Sequence, residues 1–137
     1  MRIEAVVTDI EGTTTDISFV HRVLFPYAAR ALPAYVAAHR AEPALQALLR
    51  DVAVQSGRPE ASEAEIVDQL LEWIKLDLKL TPLKTLQGWI WREGYQRGDF
   101  TGHVYPDAAV CLRRWHAAGL RLYVYSSGSE EAQRLLF

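Results

Sequence analysis

Two short apolar runs stand near the ends of the chain, and a long stretch of helical periodicity separates them. The first run, Ile3-Glu4-Ala5-Val6-Val7-Thr8, is rich in β-branched residues and nearly continuously apolar. That is the pattern of a buried parallel strand covered on both faces. It stops at Asp9 and turns at Gly12. The second run, Leu120 to Tyr125, reads as another strand and ends at Ser126-Ser127-Gly128. Between them the spacing is helical. Phe19, Val20, Val23 and Leu24 recur at intervals of three and four, and Pro26 is expected to interrupt that helix and start the next, through Ala38. A further helix is expected from Pro43 to Gln55. Ser62 and Glu65 form a capping box ahead of Ile66, Leu70 and Ile74. Thr81-Pro82 opens a helix carrying Leu86, Trp89, Ile90 and Tyr95, with Gly94 and Gly98 loosening its end. Pro106 starts a helix that Gly119 ends, and a last helix begins near Ser129 with Glu130 and Glu131 in its first turn.

A parallel crossover needs only a dozen or more residues. Here roughly 90 residues lie between the first strand and the helix that precedes the second, far beyond ordinary connection lengths. Residues 16–103 are therefore expected to form an all-helical domain inserted into an α/β core made of residues 1–15 and 104–137.

Composition narrows the class. The 137 residues are 50% hydrophobic and 23% charged, with 15 basic and 17 acidic side chains and a formal charge of -2. This suits a soluble domain and gives no basic run for nucleic acid or a membrane surface. The N-terminal apolar segment is too short for a signal peptide or a span. The single cysteine, Cys111, reads as a buried small residue, and a chain without disulfides fits the cytoplasm. His39 and His116 read as surface residues. His21 and His103 flank the insert and read as solvated or internally satisfied, with a hinge or substrate contact as the alternative. Trp89 and Trp91, beside Arg92, read as core before pocket.

Ligands of open α/β sheets bind beyond the carboxyl ends of the strands. The first strand ends in Asp9, with Glu11 two positions on. The second ends in Ser126-Ser127-Gly128, where a hydroxyl and backbone amides at a helix start can hold phosphate. Two carboxylates beside a phosphate call for a cation, and magnesium suits carboxylate and phosphate oxygens. One carboxylate can attack phosphorus and the other can serve as acid and base.

Val6-Val7-Thr8-Asp9-Ile10-Glu11-Gly12-Thr13-Thr14 resembles the first motif of the haloacid dehalogenase superfamily. Glu11 in place of the more usual aspartate, Leu24-Phe25-Pro26-Tyr27, and Tyr123-Val124-Tyr125-Ser126-Ser127-Gly128-Ser129 resemble its enolase-phosphatases, the acireductone synthases of methionine salvage. The resemblance implies a three-layer parallel-sheet core, incomplete in this chain, under an inserted helical cap. It implies a magnesium-dependent enzyme that enolises 2,3-diketo-5-methylthiopentyl-1-phosphate and removes its phosphate. Asp9 would be nucleophile and magnesium ligand. Glu11 would be the acid/base, its carbonyl near the metal. Ser126, Ser127 and Gly128 would bind the phosphate. Another capped phosphatase for a small phosphate ester, or a non-catalytic fragment, is the alternative.

The resemblance also implies a later lysine and later metal-binding acids, which this sequence does not contain. Lys75, Lys79 and Lys84 lie in the insert and are set aside by position. Two strands make a small sheet with open faces and edges. The chain is accordingly expected to be a fragment of a longer protein or a part that needs a partner. It is expected to bind magnesium weakly, to turn over slowly or not at all, and to self-associate through its sheet.

Overall fold

The computed structural model describes residues 1–137. Strand β1 (Ala5–Thr8) pairs in parallel with β2 (Arg121–Val124), in the register Val7 opposite Tyr123. The ladder runs one bond further at each end, Arg121 N–H to Glu4 O and Tyr125 N–H to Thr8 O. Both strands are shorter than the apolar runs predict. Gly119 takes a left-handed φ of 87°, and Leu120 N–H still caps the preceding helix by donating to Trp115 O, so β2 cannot begin before Arg121.

Six of the helices are α2 (Phe25–Ala38), α3 (Pro43–Gln55), α4 (Glu63–Lys75), α5 (Thr81–Arg97), α6 (Pro106–Ala117) and α7 (Glu130–Leu136). They follow a three-residue α1 (Ile17–Phe19), capped by Asp16, whose Oδ1 accepts Ser18 N–H at 2.8 Å. The expected break at Pro26 does not occur. A π turn over Val20–Leu24 runs straight into α2, with Phe25 N–H reaching Val20 O. Pro26 then occupies the first turn of α2, where a missing N–H breaks no ladder. The capping box forms as read: Ser62 Oγ accepts Glu65 N–H at 3.3 Å while the Glu65 carboxylate receives Ser62 N–H.

The main hydrophobic core lies wholly within the insert. Leu32 and Val36 of α2, Leu45 and Val52 of α3, Leu70 of α4, and Leu83, Leu86 and Ile90 of α5 close on one another almost without solvent contact. Burial of each such aliphatic side chain stabilises the fold by about 1.5–3 kcal/mol. Gly94 corrects the expectation of a loosened helix end. It is buried, and a Cβ there would lie 2.5 Å from Phe100 Cε1 and 2.8 Å from Tyr27 Cε1. Its lack of a side chain is what lets two rings pack on α5. Gly98 ends α5 in the left-handed region, with φ 73°.

The strands are not covered as their composition suggests. Val7 keeps 65% of its surface and Tyr123 50%, because a two-stranded sheet has layers missing from both faces and edges. Cys111 is half-buried, not buried, on α6. His39 is likewise drawn in from the surface. It ends α2 between two carboxylates, Nδ1 2.6 Å from Glu42 and Nε2 3.1 Å from Glu93. No helix is long and apolar enough to cross a membrane.

Candidate active site

The turn after β1 is built by its own backbone. Ile10, 1% exposed, anchors it, and its carbonyl accepts the N–H groups of Thr13, Thr14 and Thr15 at 3.1–3.2 Å. Gly12 closes the turn with φ 79°, a left-handed conformation that favours glycine, and gives its N–H to Thr15 O. The Thr14 hydroxyl donates to Asp9 O at 3.3 Å. Asp9 is therefore held at the strand's carboxyl end. Its Oδ1 accepts Ile10 N–H at 2.7 Å, while Oδ2 has no hydrogen-bond partner in the chain.

The turn after β2 meets it. Ser126 donates its hydroxyl to Glu11 Oε2 at 3.1 Å and accepts Gly128 N–H at 3.1 Å. Gly128 lies against the same carboxylate, for a Cβ there would sit 3.6 Å from Glu11 Oε1. Gln133 of α7 steadies this turn by donating to Gly128 O. Asp9, Glu11, Ser126, Ser127 and Gly128, all read from the sequence, thus line one cleft of about 1010 Å³. Asp77 and Glu131 also border the cleft, but no group of three potential metal-ligating side chains converges anywhere in the chain.

The opposite wall comes from the insert, and sequence position alone missed most of it. Lys84, set aside as too remote, brings Nζ to 2.9 Å from Ser127 O. Gln87, Gly88 and Trp91 line the same cleft. Trp91 is not simply core. Its Nε1–H donates to Leu24 O at 2.9 Å, and its ring stacks on Phe25 at 6.3 Å. Trp89 serves both sides, packing on the insert core and bordering the cleft. His21 also borders it, edge-on to Phe25. An Arg92–Glu131 ion pair ties α5 to α7. The signal available in the sequence was the spacing 84, 87, 88, 91, one face of a helix.

The two chain crossings between sheet and insert are fastened together. His103 Nδ1 accepts the Thr15 hydroxyl at 3.0 Å and Asp16 N–H at 3.2 Å, and Tyr105 N–H donates to Thr14 O. His103 is therefore the internally satisfied histidine of the two that flank the insert.

A family model described as haloacid dehalogenase-like hydrolase matches residues 3–137. The chain is 55% identical over 137 residues to a protein of Pseudomonas aeruginosa (strain UCBPP-PA14) named enolase-phosphatase E1, covering all of this chain and 61% of that protein. It is 53% identical over 135 residues to the enolase-phosphatase E1 of Erwinia tasmaniensis, covering 98% and 59%. A crystal structure of the UTR4 protein from Saccharomyces cerevisiae superposes with a TM-score of 0.80 at 33% identity, over 99% of this chain and 56% of that one. The chain thus spans about three-fifths of the length of the curated relatives it matches.

Proposed function

Because the chain belongs to the haloacid dehalogenase-like hydrolase family, we propose that it supplies the nucleophile, the acid/base and the substrate-covering part of a cytoplasmic enolase-phosphatase in methionine salvage. Its substrate would be 2,3-diketo-5-methylthiopentyl-1-phosphate, and its products the acireductone 1,2-dihydroxy-3-keto-5-methylthiopentene and phosphate. In this reading residues 16–103 are the cap, and residues 1–15 and 104–137 belong to the core. The observation that carries it is the hydrogen bond from Ser126 to Glu11 beside Asp9, which joins both strand-end turns in one cleft. The relatives are named for the two reactions, enolase and phosphatase; the substrate is what the resemblance of the strand-end motifs implies.

Each residue then has a task its surroundings support. Once a proton has passed from C1 to the C2 keto oxygen, giving the enol phosphate, Asp9 Oδ2, free of internal hydrogen bonds, attacks phosphorus while the bond to the enol oxygen breaks, leaving an aspartyl-phosphate. Glu11 gives its proton to the departing oxygen, then takes one from the water that hydrolyses the aspartyl-phosphate and frees Asp9. Ser126, already a donor to Glu11, orients that carboxylate and can turn its hydroxyl to a phosphoryl oxygen. Amides of Ser127 and Gly128 stand beside it. The oxygen-only donor set at the strand ends fits magnesium. Asp9 and the Glu11 carbonyl would hold it. When bound, the ion neutralises charge on the phosphoryl group. Closure of the insert excludes bulk water while Asp9 attacks.

Phosphate release from the diketone phosphate tests this, using the chain alone and the chain extended by the C-terminal remainder of the Pseudomonas aeruginosa relative. The chain alone is expected to be slow or silent and the extended chain active. Asp9→Asn should lower the extended chain's rate by about a thousand-fold or more. An Asp9→Asn variant as fast as its parent would overturn the assignment.

A further inference from the structure

Gln87 is 6% exposed, and its carboxamide makes no hydrogen bond within the chain. A buried amide without a partner is uncommon and calls for an explanation. No buried side-chain nitrogen or oxygen is sealed from solvent without a partner. The unbonded carboxamide therefore opens onto the space that Gln87 lines, the cleft. Lys84, Gly88 and Trp91 are among the residues of α5 that border that cleft on the same helical face. Lys84 lies one turn before Gln87, Gly88 next to it, and Trp91 one turn after. Gly88 is buried, yet a Cβ built on it meets nothing within 4 Å. Packing does not demand glycine there, and mid-helix glycine weakens a helix relative to alanine.

We propose that this face of α5 is a ligand-selecting wall for a phosphorylated ketone. Lys84 contacts the phosphoryl end, Gln87 donates its amide to a keto oxygen, Gly88 leaves room for the carbon chain, and Trp91 takes the apolar tail. The order of the residues along the helix matches such a molecule: cation, carboxamide, gap, indole. Lys84 now rests on the neutral carbonyl of Ser127. A phosphate oxygen beside that turn offers it a charged acceptor, and charge-assisted hydrogen bonds are roughly twice as strong as neutral ones. The inference rests on the reading that a phosphate ester occupies the Ser126–Gly128 turn, and it names the residues that choose among such esters.

The test is calorimetric binding to the 137-residue chain, in magnesium, of three probes: inorganic phosphate, pentyl phosphate and 2-oxopentyl phosphate. The two esters differ by one keto oxygen. The wild type should bind the keto ester about ten-fold more tightly than pentyl phosphate. Gln87→Leu should bind the two esters about equally and leave inorganic phosphate unchanged. It should also fold about as stably, since the carboxamide it replaces makes no hydrogen bond within the chain. Gly88→Ala should raise Tm while weakening both esters and sparing inorganic phosphate. Lys84→Ala should weaken all three probes, and Lys75→Ala, a cap cation outside the cleft, none. A keto preference that survives Gln87→Leu, or no such preference in the wild type, overturns the wall and leaves the phosphatase reading standing. Failure to bind any of the three by this chain and by the C-terminally extended one alike removes the phosphate site and both readings with it.

Discussion

Two glycines of α5 show how one residue type answers to opposite pressures. At Gly94 the rings of Phe100 and Tyr27 occupy the space a side chain would need, and Tyr27 is fixed by its hydrogen bond to Asp99 at 2.7 Å. Gly94→Ala is expected to destabilise the chain by about 1–3 kcal/mol through overpacking, read from the urea midpoint. A gain in stability would show that the two rings yield freely. At Gly88 the same change meets open space, so the sign reverses. From sequence the two are indistinguishable, since each is a glycine in a helical pattern. Only the approach of rings from elsewhere separates them. Asp9, Glu11 and Ser126 were legible for the contrary reason, because the strand that carries each is adjacent in sequence and fixes where it emerges. Lys84 and Gln87 were not, because a polar residue facing a cleft and one facing bulk water leave the same periodicity.

Among the helices, α3 was legible at both ends and α4 at its start. Pro43 and the Ser62–Glu65 box mark their starts through local bonds that need no tertiary partner. The π turn ahead of α2 was not, since the ladder changes register there without a break in helical spacing. The C-terminal end of α2 carries a pH dependence. Hydrogen bonding to Glu42, reinforced by Glu93, lifts the His39 pKa above its usual 6.5 against the opposing effect of desolvation. The imidazolium also suits a helix C-terminus. A raised pKa in the folded state contributes stability that is fully present below the unfolded value and is lost as pH rises through the folded one. Tm is therefore expected to fall as pH rises from about 6 to about 8, and His39→Gln should flatten that slope. A slope unchanged in the variant would assign it to another group.

For the molecule as a whole, the insert carries the main core and the sheet lies open. Val7, Tyr123 and Val124 present apolar surface on strands whose edges keep unpaired backbone groups. The chain alone is expected to associate through this sheet in a concentration-dependent way. Sedimentation velocity should show the larger species recede in Val7→Thr and Tyr123→Lys. Equal association in those variants would move the contact elsewhere. The apolar runs predicted strands covered on both faces. Their composition suits a larger sheet, and two strands cannot supply the missing layers.

The fastening of the two crossings by His103 bears on the order in which the chain folds. Glu4 and Arg121, 117 positions apart, must meet for the sheet to form, a costly loop to close. Helices α2 to α5 pack mainly on one another and can collapse first from nearby contacts. Once Thr15 and His103 are joined, the 88-residue separation between them closes into one compact unit. The strands are then tethered at short range, so a folded insert shortens the loop that the sheet must close.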